Sequence, residues 1–281
     1  MQSDQHEGTP SWLDRVEAAR EILDEASCWK TRVPVSVEEA LDFFGLSSVL
    51  VETGNPHHGG LRKVGETWHP VIYRPLDELR TVFSPRERFT ILHEVAHFII
   101  DRELLLRPNR NREYWQLESV CHEFAANVLI PREIAVAFGD SVHDAKAIVR
   151  NAGALAARCN VSLVAAAKQL VLLRDNTAAA GLLQVVSKAD HRLRLKVEWT
   201  AGESLARVMP IGSYLPASSP IHRQLTSERD SSDVLLHFPG NKQYFCHREG
   251  SLRWTIGVFV GLREDEDYGF SLFSDIVEKL P

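Results

Sequence analysis

Apolar residues at Leu13, Val16, Ala19, Ile22 and Leu23, with acidic residues between them, carry the 3.6-residue spacing of an amphipathic helix over 11–27. A shorter helix is predicted over 36–44. Residues 49–52 and 71–73 read as short strands, and 54–70, with its glycines and histidines, reads as the loop between them. Ser84, Pro85 and Glu87 form a helix start: a capping hydroxyl, a proline at the first helical position and a capping-box carboxylate. That helix is predicted to run to about Asp101. A basic loop over 102–112 follows, then a second helix over 113–130 that stops at Pro131.

Residues 144–174 are alanine-rich and helical, with a break at Cys159 and Asn160. Beyond them the period changes to two. Leu193, Leu195, Val197 and Trp199 alternate with charged residues, and strand-like runs recur at 233–238, 244–247, 252–260 and 269–273. Helices with a few strands, then helices, then strands predict an α+β protein in three parts: 1–137, 138–177 and 178–281.

Composition places the chain among ordinary globular proteins, with 44% hydrophobic and 25% charged residues, so a core can form. The formal net charge of -6 lacks the basic footprint of a protein that grips phosphate backbones. Cys28, Cys121, Cys159 and Cys246 are widely spaced and form no Cys-x-x-Cys pair, which reads as buried, reduced thiols. With no apolar run long enough for a bilayer and no signal-peptide pattern at the start, a cytoplasmic protein without membrane contact is expected.

The chemistry concentrates in His93-Glu94-Val95-Ala96-His97. Histidines at i and i+4 share one face of a helix and can share one tetrahedral zinc ion. Glu94 is rotated about 100° from His93, so it can reach water beside the ion without being a ligand, as a catalytic base does. A catalytic zinc needs a third protein ligand. Glu118, on the next predicted helix at the edge of the stripe of Leu117, Cys121, Phe124, Ala125 and Val128, is the candidate. Glu113 and His122 compete for that role, whereas Glu123 falls on the polar side. His122, Tyr73 and His69 are candidates for supporting a ligand or for stabilising a developing oxyanion; the His57 and His58 pair also lies within reach of the cleft.

The run Arg88-Phe89-Thr90-Ile91-Leu92-His93-Glu94-Val95-Ala96-His97, with Glu118-Ser119-Val120-Cys121-His122-Glu123-Phe124-Ala125-Ala126-Asn127-Val128-Leu129-Ile130-Pro131, resembles the ImmA/IrrE-type metallopeptidases, related to the radiation-response regulator of Deinococcus. The resemblance covers about residues 84–135. It implies a zincin-like core with a catalytic Zn²⁺, and the first glutamate of the family's second block, its third zinc ligand, carries over to Glu118. His122 stands where the family usually has asparagine.

The resemblance also implies a protein substrate, a helix-turn-helix transcriptional repressor cut at few sites in a stress or mobile-element response, and a sensor-like, GAF-related C-terminal module. Residues 155–170 read as a helix-turn-helix, with Asn160 at the turn and Ser162 as cap. Between 143 and 175, Lys146, Arg150, Arg158, Lys168 and Arg174 outnumber Asp144 and Asp175, yet Leu163-Val164-Ala165-Ala166-Ala167 offers almost no side chain that reads bases. A packing role is expected, with DNA binding as the alternative. Two other readings compete with the peptidase: a DNA-binding regulator with a structural metal site, and a toxin-antitoxin or phage-defence component acting through partner binding. A structural site would normally be closed by four protein ligands.

Overall fold

The computed structural model describes residues 11–28, 32–54, 59–75, 81–108, 110–139, 145–173, 178–187, 193–201, 214, 233–238, 242–248 and 254–260. Helix α1 (Trp12–Ser27) starts where Ser11 and Asp14 close a capping box, and it buries Val16, Ala19 and Leu23. Helix α2 (Val37–Phe44) is capped by Ser36 and ends at Gly45, whose φ of 78° is the left-handed stop that glycine adopts without strain. Both helices lie where they are predicted, and the apolar spacing of α1 holds except at Leu13, which is exposed.

Three short strands come next: β1 (Leu50–Thr53), β2 (Gly59–Val64) and β3 (Thr67–Arg74), in the order β1-β3-β2. β1 runs parallel to β3, and β2 folds back on β3 as an antiparallel hairpin around Gly65, at φ 62°. Here the structure corrects the part of the expected 54–70 loop from Gly59 onward, while 55–58 lie outside the described residues. β2 is an edge strand that is mostly exposed, so it has no need of the apolar alternation by which a half-buried strand is recognised.

Helix α3 (Pro85–Leu104) is the centre of this part of the protein. Ser84 and Glu87 form its capping box, and its C-cap Leu105 turns the chain at φ 50°. Ile91, Leu92, Val95, Ala96, Ile99 and Ile100 are all buried, at 2% exposure or less. Each of the isoleucine, leucine and valine side chains among them contributes about 1.5–3 kcal/mol on burial. β2 and β3 pack on α3, as do α1, α2 and α4 (Asn111–Leu129). Arg88, buried near the start of α3, donates from Nη2 to the Val35 carbonyl at 2.8 Å and so ties the segment before α2 to the helix. A buried ion pair between Arg74 and Glu87, at 2.6 Å, joins the end of β3 to the first turn of α3.

Pro131 ends α4 as expected, but a further short helix, α5 (Arg132–Gly139), starts directly after it. Proline suits the position just before a first helical turn as well as it ends the previous helix. Helices α6 (Ala145–Cys159) and α7 (Leu163–Leu172) meet at 117° about Asn160, which has a φ of 53°, and Ser162 caps α7. Among the described residues, no single helix is long and apolar enough to cross a membrane.

The remaining strands are β4 (Ala178–Ser187), β5 (Leu193–Ala201), β6 (Asp233–Phe238), β7 (Lys242–Arg248) and β8 (Trp254–Val260). They form one antiparallel sheet in the order β5-β4-β8-β7-β6. β4 was not expected: its Ala-Ala-Ala-Gly start has weak strand preference, and pairing with β5 and β8 on its two sides decides its conformation. The strand expected over 269–273 lies outside the described residues. The protein is thus α+β, and its chain divides into two compact units, Met1–Arg132 with Arg158–Val161 and Glu133–Ala157 with Ser162–Pro281.

Candidate metal centre

His93 and His97 stand one turn apart on α3, about 40° from each other around the helix axis, at the margin of the buried stripe. Helix α4 runs beside α3 and brings Glu118 opposite them. Nε2 of His93 lies 3.2 Å from Glu118 Oε2, Nε2 of His97 lies 3.1 Å from Glu118 Oε1, and the two Nε2 atoms are 3.1 Å apart. Three donors on three side chains thus face one point.

That donor set fits a divalent ion. Ligands about 2.0–2.2 Å from a tetrahedral zinc stand about 3.3–3.6 Å from one another, so a slight opening of this triangle admits the ion. Two imidazoles and a carboxylate are also ligands that zinc takes. Among the described residues, His93, His97 and Glu118 are the His, Cys, Asp or Glu side chains that gather in this way.

The surroundings perturb each group. Burial alone pushes the Glu118 carboxyl up, but the hydrogen bonds and charges of His93 and His97 outweigh it and hold it well below the usual carboxylate range. Burial disfavours the charged form of His97, yet its hydrogen bond to Glu118 and the charges of Glu118 and Glu94 raise its pKa above the ordinary 6.5. For Glu94, burial raises the pKa, the two histidines pull it down and Glu118 pushes it up, with a net rise.

Glu94 is 9% exposed and its Oε1 lies against Gly59, at the start of the edge strand β2. His122, one turn beyond Glu118, is exposed and stacks on the His93 ring at 4.6 Å between centroids, with Phe89 on it at 5.6 Å. His69 and Tyr73 are not brought into the cluster. The Nδ1 of His69 donates to the Ser48 carbonyl at 2.8 Å and its Nε2 is 3.1 Å from the Thr67 hydroxyl, while the Tyr73 ring packs under Gly54. Glu123 pairs with Arg20 at 3.1 Å, and Glu113 is not part of the donor triangle. His57 and His58 lie outside the described residues.

Three neighbours went unrecognised in the sequence. Tyr114, one turn before Glu118 and 44% exposed, has its pKa raised by burial and by the Glu118 carboxylate. Cys121 is fully buried with Sγ 3.6 Å from His97 Nδ1, and burial, then Glu118 and Glu94, push its thiol far up, so it stays protonated. Gly59 lies in the segment read as a loop. For Tyr114 and Cys121 the available signal was helical spacing from Glu118, at i−4 and i+3.

Residues 82–171 match the model of a peptidase family described as IrrE N-terminal-like domain. Among the solved structures that match is one titled Mycobacterium tuberculosis transcriptional regulator, 13% identical, covering 89% of this chain and 88% of that chain, with a TM-score of 0.48. No curated protein matches the chain.

Proposed function

We propose, on the premise that residues 82–171 belong to the IrrE N-terminal-like peptidase domain, that this protein is a zinc-dependent regulatory endopeptidase of the cytoplasm. The observation that carries the reading is the convergence of His93, His97 and Glu118 on one point with Glu94 beside them. His93, His97 and Glu118 are the ligands. Bound zinc supplies Lewis acidity, lowering the pKa of water to about 7 and favouring negative charge on a peptide carbonyl oxygen.

Glu94 is the general base. Its carboxylate accepts the proton of the attacking water and passes it to the leaving amine. Its raised pKa in the metal-free protein reflects the low polarity around it, which suits a base in a largely dry site. His122 and Tyr114, both exposed beside the cluster, are the donors assigned to the developing oxyanion. β2, an edge strand whose first residue touches Glu94, offers unpaired backbone groups to an extended peptide.

The substrate class follows from the family resemblance: a helix-turn-helix transcriptional repressor. We read α6 and α7 as a helix-turn-helix that packs rather than reads DNA, because the start of α7 is Leu163-Val164-Ala165-Ala166-Ala167. The antiparallel sheet β5-β4-β8-β7-β6 is compatible with a GAF-related sensor module. The test is incubation of zinc-loaded protein with the repressor encoded beside it, followed by mass analysis of fragments. Cleavage at one or a few sites is expected, and Glu94→Gln should keep its zinc while cleaving about 10²–10⁴-fold more slowly. An intact repressor, or near-normal cleavage by Glu94→Gln, counts against the reading.

A further inference from the structure

Helix α4 meets both nitrogens of one imidazole. Glu118 Oε1 lies 3.1 Å from His97 Nε2, and Cys121 Sγ, three residues further along the same helix, lies 3.6 Å from His97 Nδ1. Cys121 is fully buried, so no water competes for that nitrogen from its side. His93 is held differently: among the described residues its buried Nδ1 has no hydrogen-bond partner, and its ring rests against His122.

We propose that Cys121 is a positioning residue for the metal centre, its thiol sulfur accepting the Nδ1–H hydrogen bond of His97 and so directing Nε2 toward Glu118 and His93. The inference rests on the reading of these three residues as ligands. An imidazole that gives its Nε2 lone pair to an ion keeps its remaining proton on Nδ1. The sulfur is then the acceptor and the thiol hydrogen points elsewhere. No proton leaves either group.

The identity of the acceptor matters. Ligating histidines usually donate their second N–H to a carboxylate, a backbone carbonyl or water, which fixes the ring and raises its basicity. A neutral thiol is a weak acceptor and does the first more than the second. His97 is therefore aligned without being made a much stronger ligand, and it is the one of the two histidines whose Nδ1 has such a partner here.

The test uses the full-length protein and zinc alone. Zinc affinity is measured by competition with a chelator for wild type, Cys121→Ala and Cys121→Ser, with thermal melting of each zinc-free protein as the folding control. Loss of such a support typically costs 10–100-fold in affinity, and for a weak acceptor about tenfold is expected in Cys121→Ala. Cys121→Ser, which keeps an acceptor on the same branch, should stay near wild type. In zinc-loaded, ¹⁵N-histidine-labelled protein, the Nδ1–H signal of His97 should be seen in wild type and Cys121→Ser and be lost to exchange in Cys121→Ala. Equal affinity in wild type and Cys121→Ala overturns the proposal, as does an equal loss in Ala and Ser, which would mark simple packing. Wild type that binds no zinc removes the ligand reading itself.

Discussion

Gly59 and Glu94 are in contact across the join between the edge strand and the central helix: a methyl group on Gly59 would come 3.0 Å from Glu94 Oε1 and overlap the Thr90 methyl. The absence of a side chain at this position lets β2 lie close over α3 just where Glu94, the proposed catalytic base, is placed. Gly59→Ala should therefore push strand and helix apart and cost about 1–3 kcal/mol in stability. The triangle of ligands, which lies between α3 and α4, should still bind zinc. Cleavage is expected to fall at least about tenfold, since a misplacement of about 1 Å at a reacting group can cost 10²-fold. Unchanged turnover with unchanged melting would show that the contact is loose.

Substitution of the donors separates ligands from neighbours. His93→Ala, His97→Ala and Glu118→Ala each leave two of the three converging groups and should abolish tight zinc binding. Glu123→Ala removes only a half-exposed pair with Arg20, and Glu113→Ala a residue outside the triangle, so both should keep full occupancy. Metal analysis after dialysis decides it. Full zinc occupancy in Glu118→Ala would require another third ligand.

Much of this site was legible before the fold. His93, Glu94 and His97 follow from a five-residue pattern, because helical periodicity fixes which side chains share a face, while the apolar stripe left Glu118 in competition with Glu113 and His122 and the family resemblance favoured it. The capping box at Ser84 announced its helix in the same local way, whereas the one that Ser11 and Asp14 close was not read in the sequence. What stayed hidden depends on partners distant in sequence. β2 has little apolar content and is held by its pairing with β3; Gly59 matters only because α3 comes to it. Cys121 read as an ordinary buried thiol, and nothing in its local sequence says that His97 lies behind it.

Zinc affinity should depend on pH with a definite sign. In the metal-free protein His97 is protonated up to a pKa above 6.5, while Glu118 remains ionised far into the acid range. Zinc must displace the His97 proton, so apparent affinity falls roughly tenfold per pH unit and per proton as pH drops below that raised value. The metal-free fold responds oppositely: the stability contributed by protonated His97 is complete below 6.5 and is lost as pH rises through the raised pKa. Chelator competition and zinc-free melts at several pH values test both. A flat affinity across the neutral range would mean that His97 is already neutral.

The link between Arg74 and Glu87 should carry stability rather than chemistry. Glu87 accepts from the Ser84 backbone N–H at 2.7 Å and from Arg74 at 2.6 Å, with the ion pair about nine-tenths buried. Glu87→Ala removes the side-chain half of the capping box, leaving the Ser84 hydroxyl on the Glu87 backbone N–H, and deprives a buried guanidinium of this carboxylate, at a cost of about 3–5 kcal/mol. Denaturant unfolding of the zinc-free protein measures it. A change under about 1 kcal/mol would show that Arg74 is satisfied by other groups.

The turn at Leu105 reverses the chain between the two helices that carry the proposed ligands, with Leu105 itself 70% exposed. The donors on either side of it are aligned by the buried faces of α3 and α4, and the connection contributes none of them. The covalent link there is thus replaceable. A chain severed between Leu105 and Arg110 and supplied as two fragments retains His93, His97 and Glu118, so its reassembly should restore the zinc affinity expected of the intact protein.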